Sequence, residues 1–353
     1  MKTILKILGG LIGLVLVLAI ALVTWLSLRE YRPEAEEIVE IKGSGNSLLK
    51  AGDSLSLVTC NIGYGGLDAE HDFFMDGGSD VRVESRQIVE RNMEGIRSML
   101  QEAEGDIYFL QEVDIDSKRS YGFNESEYLQ EGLKGAAAFA GNFLCDYVPY
   151  PLPTIGRVHS GILTVNPYAA ESAVRVALPT SFTWPVRVCQ LKRCLLVERV
   201  PLKDSEKELV LINLHLDAYD DGTGREMQTR QLAELLNAEY EKGNYCIAGG
   251  DFNQTFSNID PSLYPVQDRE NFSPGLVEVS DFGEGWQLAN DPSTPTCRLL
   301  NQPYDPKNAA TQHYVLDGFL LSPNVKLEQV QTIDGGFRYT DHNPVKITVT
   351  LSE

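Results

Sequence analysis

The feature that most constrains this chain is an apolar run near its start: from Ile7 to Leu28 the sequence ILGGLIGLVLVLAIALVTWLSL carries no charge. Wound as a helix at about 1.5 Å per residue, such a run crosses the roughly 30 Å hydrocarbon layer of a bilayer. A cleaved signal peptide is the competing reading, with Lys2 and Lys6 as its basic flank and Ala19-Ile20-Ala21 as a small-residue cleavage site. The run continues past that site through Trp25, where an interfacial aromatic belongs, and this favours an uncleaved anchor over residues 1–28. Lys2 and Lys6 on one side nearly balance Arg29 and Arg32 on the other. The short N-terminal flank is expected inside, which makes the chain a single-pass membrane protein with its body outside the cytoplasm.

That body is acidic. The 353 residues include 50 Asp and Glu against 30 Lys and Arg, a formal charge of −20, and of the basic residues only Lys2 and Lys6 precede residue 29. A domain that grips nucleic acid with a broad cationic face is thereby excluded, although a local basic cleft is not. An apolar fraction of 43 %, with 15 Tyr and 13 Phe, excludes disorder. Residues 29–53 set Pro33, Gly43, Gly45 and Gly52 among charges and read as a tether, the alternative being a strand near Ile38 to Ile41 paired with a sheet edge. Cys189 and Cys194 flank QLKR, a spacing that lets a hairpin bring them within disulfide range without demanding it. No CxxC spacing points to zinc.

From Ser54 onward the pattern alternates between strands and a few helices, with no further linker, so residues 54–353 read as one catalytic domain of α/β class. Helices are expected from about Glu84 to Gln101, Glu127 to Ala140 and Arg225 to Tyr240. Strands are expected at LSLVTCN, DIYFLQEV, ELVLINLHL, YCIAGGDF and HYVLDGFLL, among others, with a hairpin around QLKR. The acidic stretch Asp217 to Glu226 reads as a solvated loop and helix cap. Five strands end in a polar residue where the apolar run stops: Asn61, Glu112, Asn213 with His215, Asp251 with Asn253, and Asp317. Asp341 and His342 precede the closing strand. Each has a bland explanation alone, as a turn former or solvated strand end, but together they point to one rim.

In chain order, TCN at 59–61, LQEVD at 110–114, HSGILT at 159–164, NLHL at 213–216, GGDFN at 249–253, LDG at 316–318 and TDHNP at 340–344 make the sequence resemble the endonuclease/exonuclease/phosphatase superfamily. Deoxyribonuclease-I-like nucleases, neutral sphingomyelinases and inositol polyphosphate phosphatases share that fold. The resemblance implies a four-layer α/β sandwich with two central mixed β-sheets. It implies a metal site of Glu112 and Asn61, with Asp341 as a further metal or water ligand. Asp251 would deprotonate or orient the attacking water, Asn253 would donate to phosphate oxygens, His342 would contact the phosphoryl group under the hold of Asp317, and His215 would stand at the leaving-group side. DNA-repair members of the superfamily often carry an Asp two residues after the first Asn; this sequence has Gly63.

Those roles suit phosphate-ester hydrolysis, in which a hard cation on oxygen ligands and donors around the phosphate neutralise charge that grows in the transition state. An oxygen-rich set favours Mg²⁺, or Mn²⁺ in its place, over zinc. Asn213, Lys118, Arg119, Arg157 and His159 lie in or beside the strand-end motifs and are candidate substrate contacts, a solvated loop being the plainer reading for the basic ones. Three functions follow: a membrane-anchored phosphodiesterase acting as a monomer on a lipid or small phosphoester, an anchored or secreted nuclease, and a silent binding module. The full set of carboxylates and histidines disfavours the last. The acidic body disfavours a polyanionic nucleic acid as partner.

Overall fold

A computed structural model describes residues 1–220, 222–267 and 271–352. In the strand Glu208–His215, Leu209 and Leu211 pack between two sheets against Leu57, Phe109 and Phe319, whereas Val210, Ile212 and Leu214 face the helix Thr223–Glu241. Ser54–Asn61 mirrors this, with Leu55 and Leu57 turned to the opposite sheet and Val58 and Cys60 to the helix Arg86–Glu102. Burial on both faces is why these strands read as near-continuous apolar runs. The result is the expected helix, sheet, sheet, helix sandwich.

Each sheet has seven strands. One runs Glu36–Ile38, Ser172–Ala177, Cys194–Pro201, Glu208–His215, Tyr245–Asp251, Asp317–Leu321, Gln287–Ala289. The other runs Val325–Thr332, Val345–Leu351, Ser54–Asn61, Ile107–Asp114, Gly156–Asn166, Ala136–Val148, Ile41–Lys42. Asn213, fully buried, ties the two together: its amide donates to Leu163 O (3.0 Å) and its carbonyl accepts from Gln111 Nε2 (2.8 Å).

Three local expectations change. The helix expected over Glu127 to Ala140 spans only Glu125–Gly132, ending where Leu133 turns extended (φ −106°, ψ 147°), and Ala136–Val148 is a strand. Alanine favours a helix, but strands flank this segment on both sides and its methyls fit where both faces are covered, Ala137 under the helices and Ala138 and Ala140 between the sheets. The QLKR segment is no hairpin: Val186–Cys189 forms a 3₁₀ turn, Cys194 opens a central strand, and both cysteines are free, Cys189 packing beside Cys145 instead. In the acidic stretch, Asp217 and Asp220 turn inward onto Arg193 (3.1 Å) and Arg225 (2.6 Å), while Asp221 lies outside the described residues.

The N-terminal helix Lys2–Leu28 contains an 18-residue window of mean hydropathy 2.8 and is long and apolar enough to span a membrane. Residues 29–53 are not a free tether. Glu36–Ile38 pairs with the edge of one sheet and Ile41–Lys42 with the edge of the other, and Leu49 is fully buried. Glu30 is buried between Arg187 (2.9 Å) and Lys192 (3.4 Å), which fastens the segment where it leaves the N-terminal helix. The edge-strand alternative therefore holds, because two open sheet edges offer unpaired backbone groups within reach. A chain beginning at Ser54 should melt at least about 5 °C below one beginning at Glu30, given roughly 2–4 °C per kcal/mol lost in a domain this size. Equal midpoints in thermal unfolding would show that the two edge strands contribute nothing.

Candidate active site

Backbone register builds half of the site. In one sheet Asp251 pairs with His215 on its parallel neighbour and with Asp317 on its antiparallel neighbour, so three strand-end residues stand side by side. Gly250 permits the close approach: a Cβ there would lie 1.9 Å from Leu214 O. His215 Nε2 is 3.4 Å from Asp251 Oδ2. The backbone N–H of Asn253 donates to Asp251 Oδ1 (2.9 Å), while its side chain donates to Leu216 O (2.8 Å). Asn253 therefore positions Asp251 as well as lining the cavity.

The other sheet supplies Asn61 and Glu112. Register between Ile107–Asp114 and Gly156–Asn166 slips from Leu110 to Val113, and within that bulge Glu112 adopts a φ of 56°. A bulge re-aims a side chain that regular pleating would bury, and a left-handed glutamate costs on the order of 1–3 kcal/mol, which the flanking pairing offsets. Asn61 donates to Glu112 Oε1 (3.3 Å) and Asp251 Oδ2 (3.1 Å), joining the two halves. Gly63, the departure from the repair-nuclease pattern, has a φ of 52°, and a Cβ there would sit 3.0 Å from Asp341 Oδ1. An acidic side chain at that position would crowd Asp341.

Asp341 and His342 close the rim from the loop before the last strand. His342 Nδ1 lies 2.8 Å from Asp317 Oδ2, and its Nε2 faces Asp251 and Asp341, each at 3.8 Å. Burial alone would lower the His342 pKa, but the carboxylate of Asp317, with help from Asp341, holds it well above the ordinary value, so this imidazole is cationic. Burial and the positive charges of Arg193 and His342 push His215 well below it, leaving that ring neutral. Asp251 is raised to about 6, chiefly by burial and then by the charge of Asp317. Burial, with the nearby charge of Glu112, raises Asp341 to about 7 despite the opposing pull of His342.

Of the remaining sequence candidates only Arg119 reaches the cavity. It is held by Asp114 (2.9 Å) and lies over the Tyr64 ring, 3.7 Å from its centroid. Asn213 is spent between the sheets and is a structural bridge rather than a substrate contact. Arg157 pairs with Asp116 (2.6 Å), Lys118 is exposed, and His159 packs edge-on against Phe139; none of the three lines the cavity. Sequence reasoning missed Arg193, which does: Asp217 holds its Nε, and its Nη1 is buried without a hydrogen-bond partner. The one available signal was a basic residue directly before the apolar strand CLLVERV.

The donor set can hold a hard cation. Glu112, Asp251 and Asp341 share the cavity, and among the described residues no Lys or Arg side chain hydrogen-bonds to any of the three. Two tight clusters also exist, Asp251, Asp317 and His342, and Cys297, Asp341 and His342, with their ligand atoms within 4.8 Å of one another. Asp317 in the first is engaged by His342, and burial pushes the Cys297 thiol of the second up to about 12. Neither matches an oxygen-seeking ion as well as Glu112 and Asp341 with Asn61 beside them.

A model of the Endonuclease/Exonuclease/phosphatase family matches residues 59–342, and the chain belongs to that family, whose members are hydrolases acting on phosphoesters. Among solved structures it is similar to an endonuclease/exonuclease/phosphatase from Beutenbergia cavernae, at 16 % identity over 85 % of this chain and 72 % of that one, with a TM-score of 0.59. A Bacteroides thetaiotaomicron family protein matches at 16 % identity over 85 % and 99 % of the two chains, TM-score 0.53. A mannosyl-6-phosphatase from the same species matches at 15 % identity over 84 % and 99 %, TM-score 0.51. At these identities the likeness is one of fold. No curated protein matches the sequence.

If Asp317 acts by holding His342, the two are one device. His342→Ala should lower kcat by about 10²-fold or more, and adding Asp317→Asn should make it scarcely worse. Additive losses in steady-state kinetics would show that the two residues act separately.

Proposed function

We propose that this protein is a divalent-metal-dependent phosphoesterase that hydrolyses a phosphodiester of a lipid or small molecule by attack of water. The observation that carries this reading is Asp251, buried with His215 Nε2 at 3.4 Å and His342 Nε2 at 3.8 Å from its carboxylate, sharing one cavity with the oxygen ligands Glu112 and Asp341. Mg²⁺ or Mn²⁺ held by Glu112 and Asp341, with Asn61 beside them, would supply Lewis-acid neutralisation of charge on the phosphate oxygens.

The chain's own groups do the rest. Asp251, ionised above about pH 6, accepts the proton of the attacking water, and its raised pKa makes it a stronger base than an ordinary carboxylate. Cationic His342 presents Nε2 as a donor where negative charge grows, with Asp317 fixing the ring. Neutral His215 stands on the far side of Asp251, placed to hydrogen-bond the leaving group. The free Nη1 of Arg193 is a further charged donor suited to a phosphate oxygen.

A nuclease is the second reading, but the acidic body, with Lys118, Arg157 and His159 lying outside the cavity, favours a small or lipid phosphoester. A silent module is disfavoured by the assembled acid, base and donor set. We further propose that the protein works as a monomer, anchored by its N-terminal helix with the domain outside the cytoplasm.

Glu112→Gln should lower turnover by orders of magnitude while the thermal midpoint stays within a few degrees, and excess chelator should reproduce the loss in the unmodified protein. Near-normal hydrolysis of model phosphoesters under either condition would sink the assignment. Topology has its own test: a membrane-impermeant maleimide should label exposed Ser44→Cys in intact cells above the background of the unmodified protein. Labelling only after lysis would place the domain inside.

A further inference from the structure

The anchor is part of the active-site wall. The cavity that holds Glu112, Asp251 and His342 has a volume of about 700 Å³ and extends away from them to Val23 and Leu26 in the last turns of the N-terminal helix. Between these ends its lining is largely apolar, with Phe143, Val148 and Val188 along the way. Leu26 is the one buried residue of that helix and packs against these same three side chains. The joint is fixed: Trp184 Nε1 donates to Ser27 Oγ (3.0 Å), Arg29 pairs with Asp146, and Glu30 is clamped by Arg187 and Lys192.

Around that joint the surface is apolar where a soluble enzyme's would be polar. Leu152 is 86 % exposed and Trp184 59 %, with Tyr150, Val186, Leu28 and Trp25 exposed as well. Isolated exposed apolar residues need no explanation, but a cluster continuous with a membrane-spanning helix does. Trp and Tyr at the exit of such a helix sit at the headgroup level of a bilayer, and the exposed Arg29 and Arg32 attract anionic headgroups there. A water-soluble phosphoester would leave the apolar trough bathed in water, whereas an alkyl chain fills it.

Resting on the phosphoesterase reading, we infer that the substrate is an amphiphilic phosphoester drawn directly from the bilayer in which the anchor stands. Its phosphate lies at Glu112, Asp251 and His342, and its alkyl chain lies along the trough toward Val23 and Leu26. Tyr150, Leu152, Trp184 and Val186 seat the mouth on the membrane surface. The hydrolytic step is unchanged: water adds to phosphorus, the P–O bond to the leaving group breaks, and the water proton passes to Asp251 while the leaving oxygen takes up a proton.

The test uses the full chain with Mg²⁺ or Mn²⁺ and a series of ethyl, octyl and hexadecyl p-nitrophenyl phosphates, run beside the corresponding alkyl monophosphates. With detergent-solubilised protein, kcat/KM should rise at least about tenfold from the ethyl to the octyl ester, as expected when methylenes are buried in an apolar trough. With protein reconstituted in phosphatidylcholine vesicles that carry the hexadecyl ester, Leu152→Asp should cut turnover at least about fivefold by weakening the seat on the bilayer, with the ethyl ester unaffected. Leu152 lies outside the cavity and is exposed, so its replacement leaves the fold intact. Metal-dependent hydrolysis with no chain-length preference and no effect of Leu152→Asp would overturn this inference and leave the phosphoesterase reading standing. No metal-dependent hydrolysis of any ester in either series would overturn both.

Discussion

The site depends on the hydrogen-bonded register of three neighbouring strands, which sets His215, Asp251 and Asp317 in one row at the end of a sheet. No side-chain interaction could hold Asp251, 1 % exposed, so near Asp317 at such electrostatic cost. The backbone ladder does so because a shift of one residue would turn every side chain in the strand to the opposite face, exchanging those packed between the sheets with those packed under the helices. The second sheet is locked to the first through Asn213 and Gln111, so Asn61 and Glu112 arrive opposite that row at a fixed separation. Rigid scaffolding of this kind allows the strained backbone at Glu112 to persist.

The charge distribution follows from this placement. Burial and crowding raise Asp251 and Asp341, whereas His342 is held cationic by Asp317 and His215 is kept neutral. Four titratable groups within a few ångström thus have different proton affinities, which is what the base and donor roles of the proposed mechanism require. Under the proposed function the same crowding would favour a divalent cation held by Glu112 and Asp341, since a metal relieves repulsion that protons would otherwise have to relieve.

Residues 29–53 extend the scaffold to the N-terminal helix. A flexible tether would have left that helix free of the domain. Two edge strands, a buried Glu30 and a packed Leu26 instead fix how the helix meets the cavity mouth.

The sequence by itself determined the apolar N-terminal helix, the long apolar strands and the strand-end residues Asn61, Glu112, Asp251, Asp317 and His342, because each depends on a local pattern: an uncharged run, or a polar residue closing an apolar one. Only the tertiary structure decided what depends on neighbours distant in sequence. The alanine run at 136–140 became a strand because partners stood on both sides of it, and residues 29–53 became edge strands because open edges were there to receive them. Asn213 and His215 are two residues apart and look equivalent in the sequence. Yet His215 stands at the cavity, whereas Asn213 opposes the other sheet and is consumed as its fastener. Arg193 went unrecognised for the same reason: its meaning comes from Asp217 and the cavity it enters, both supplied by other parts of the chain.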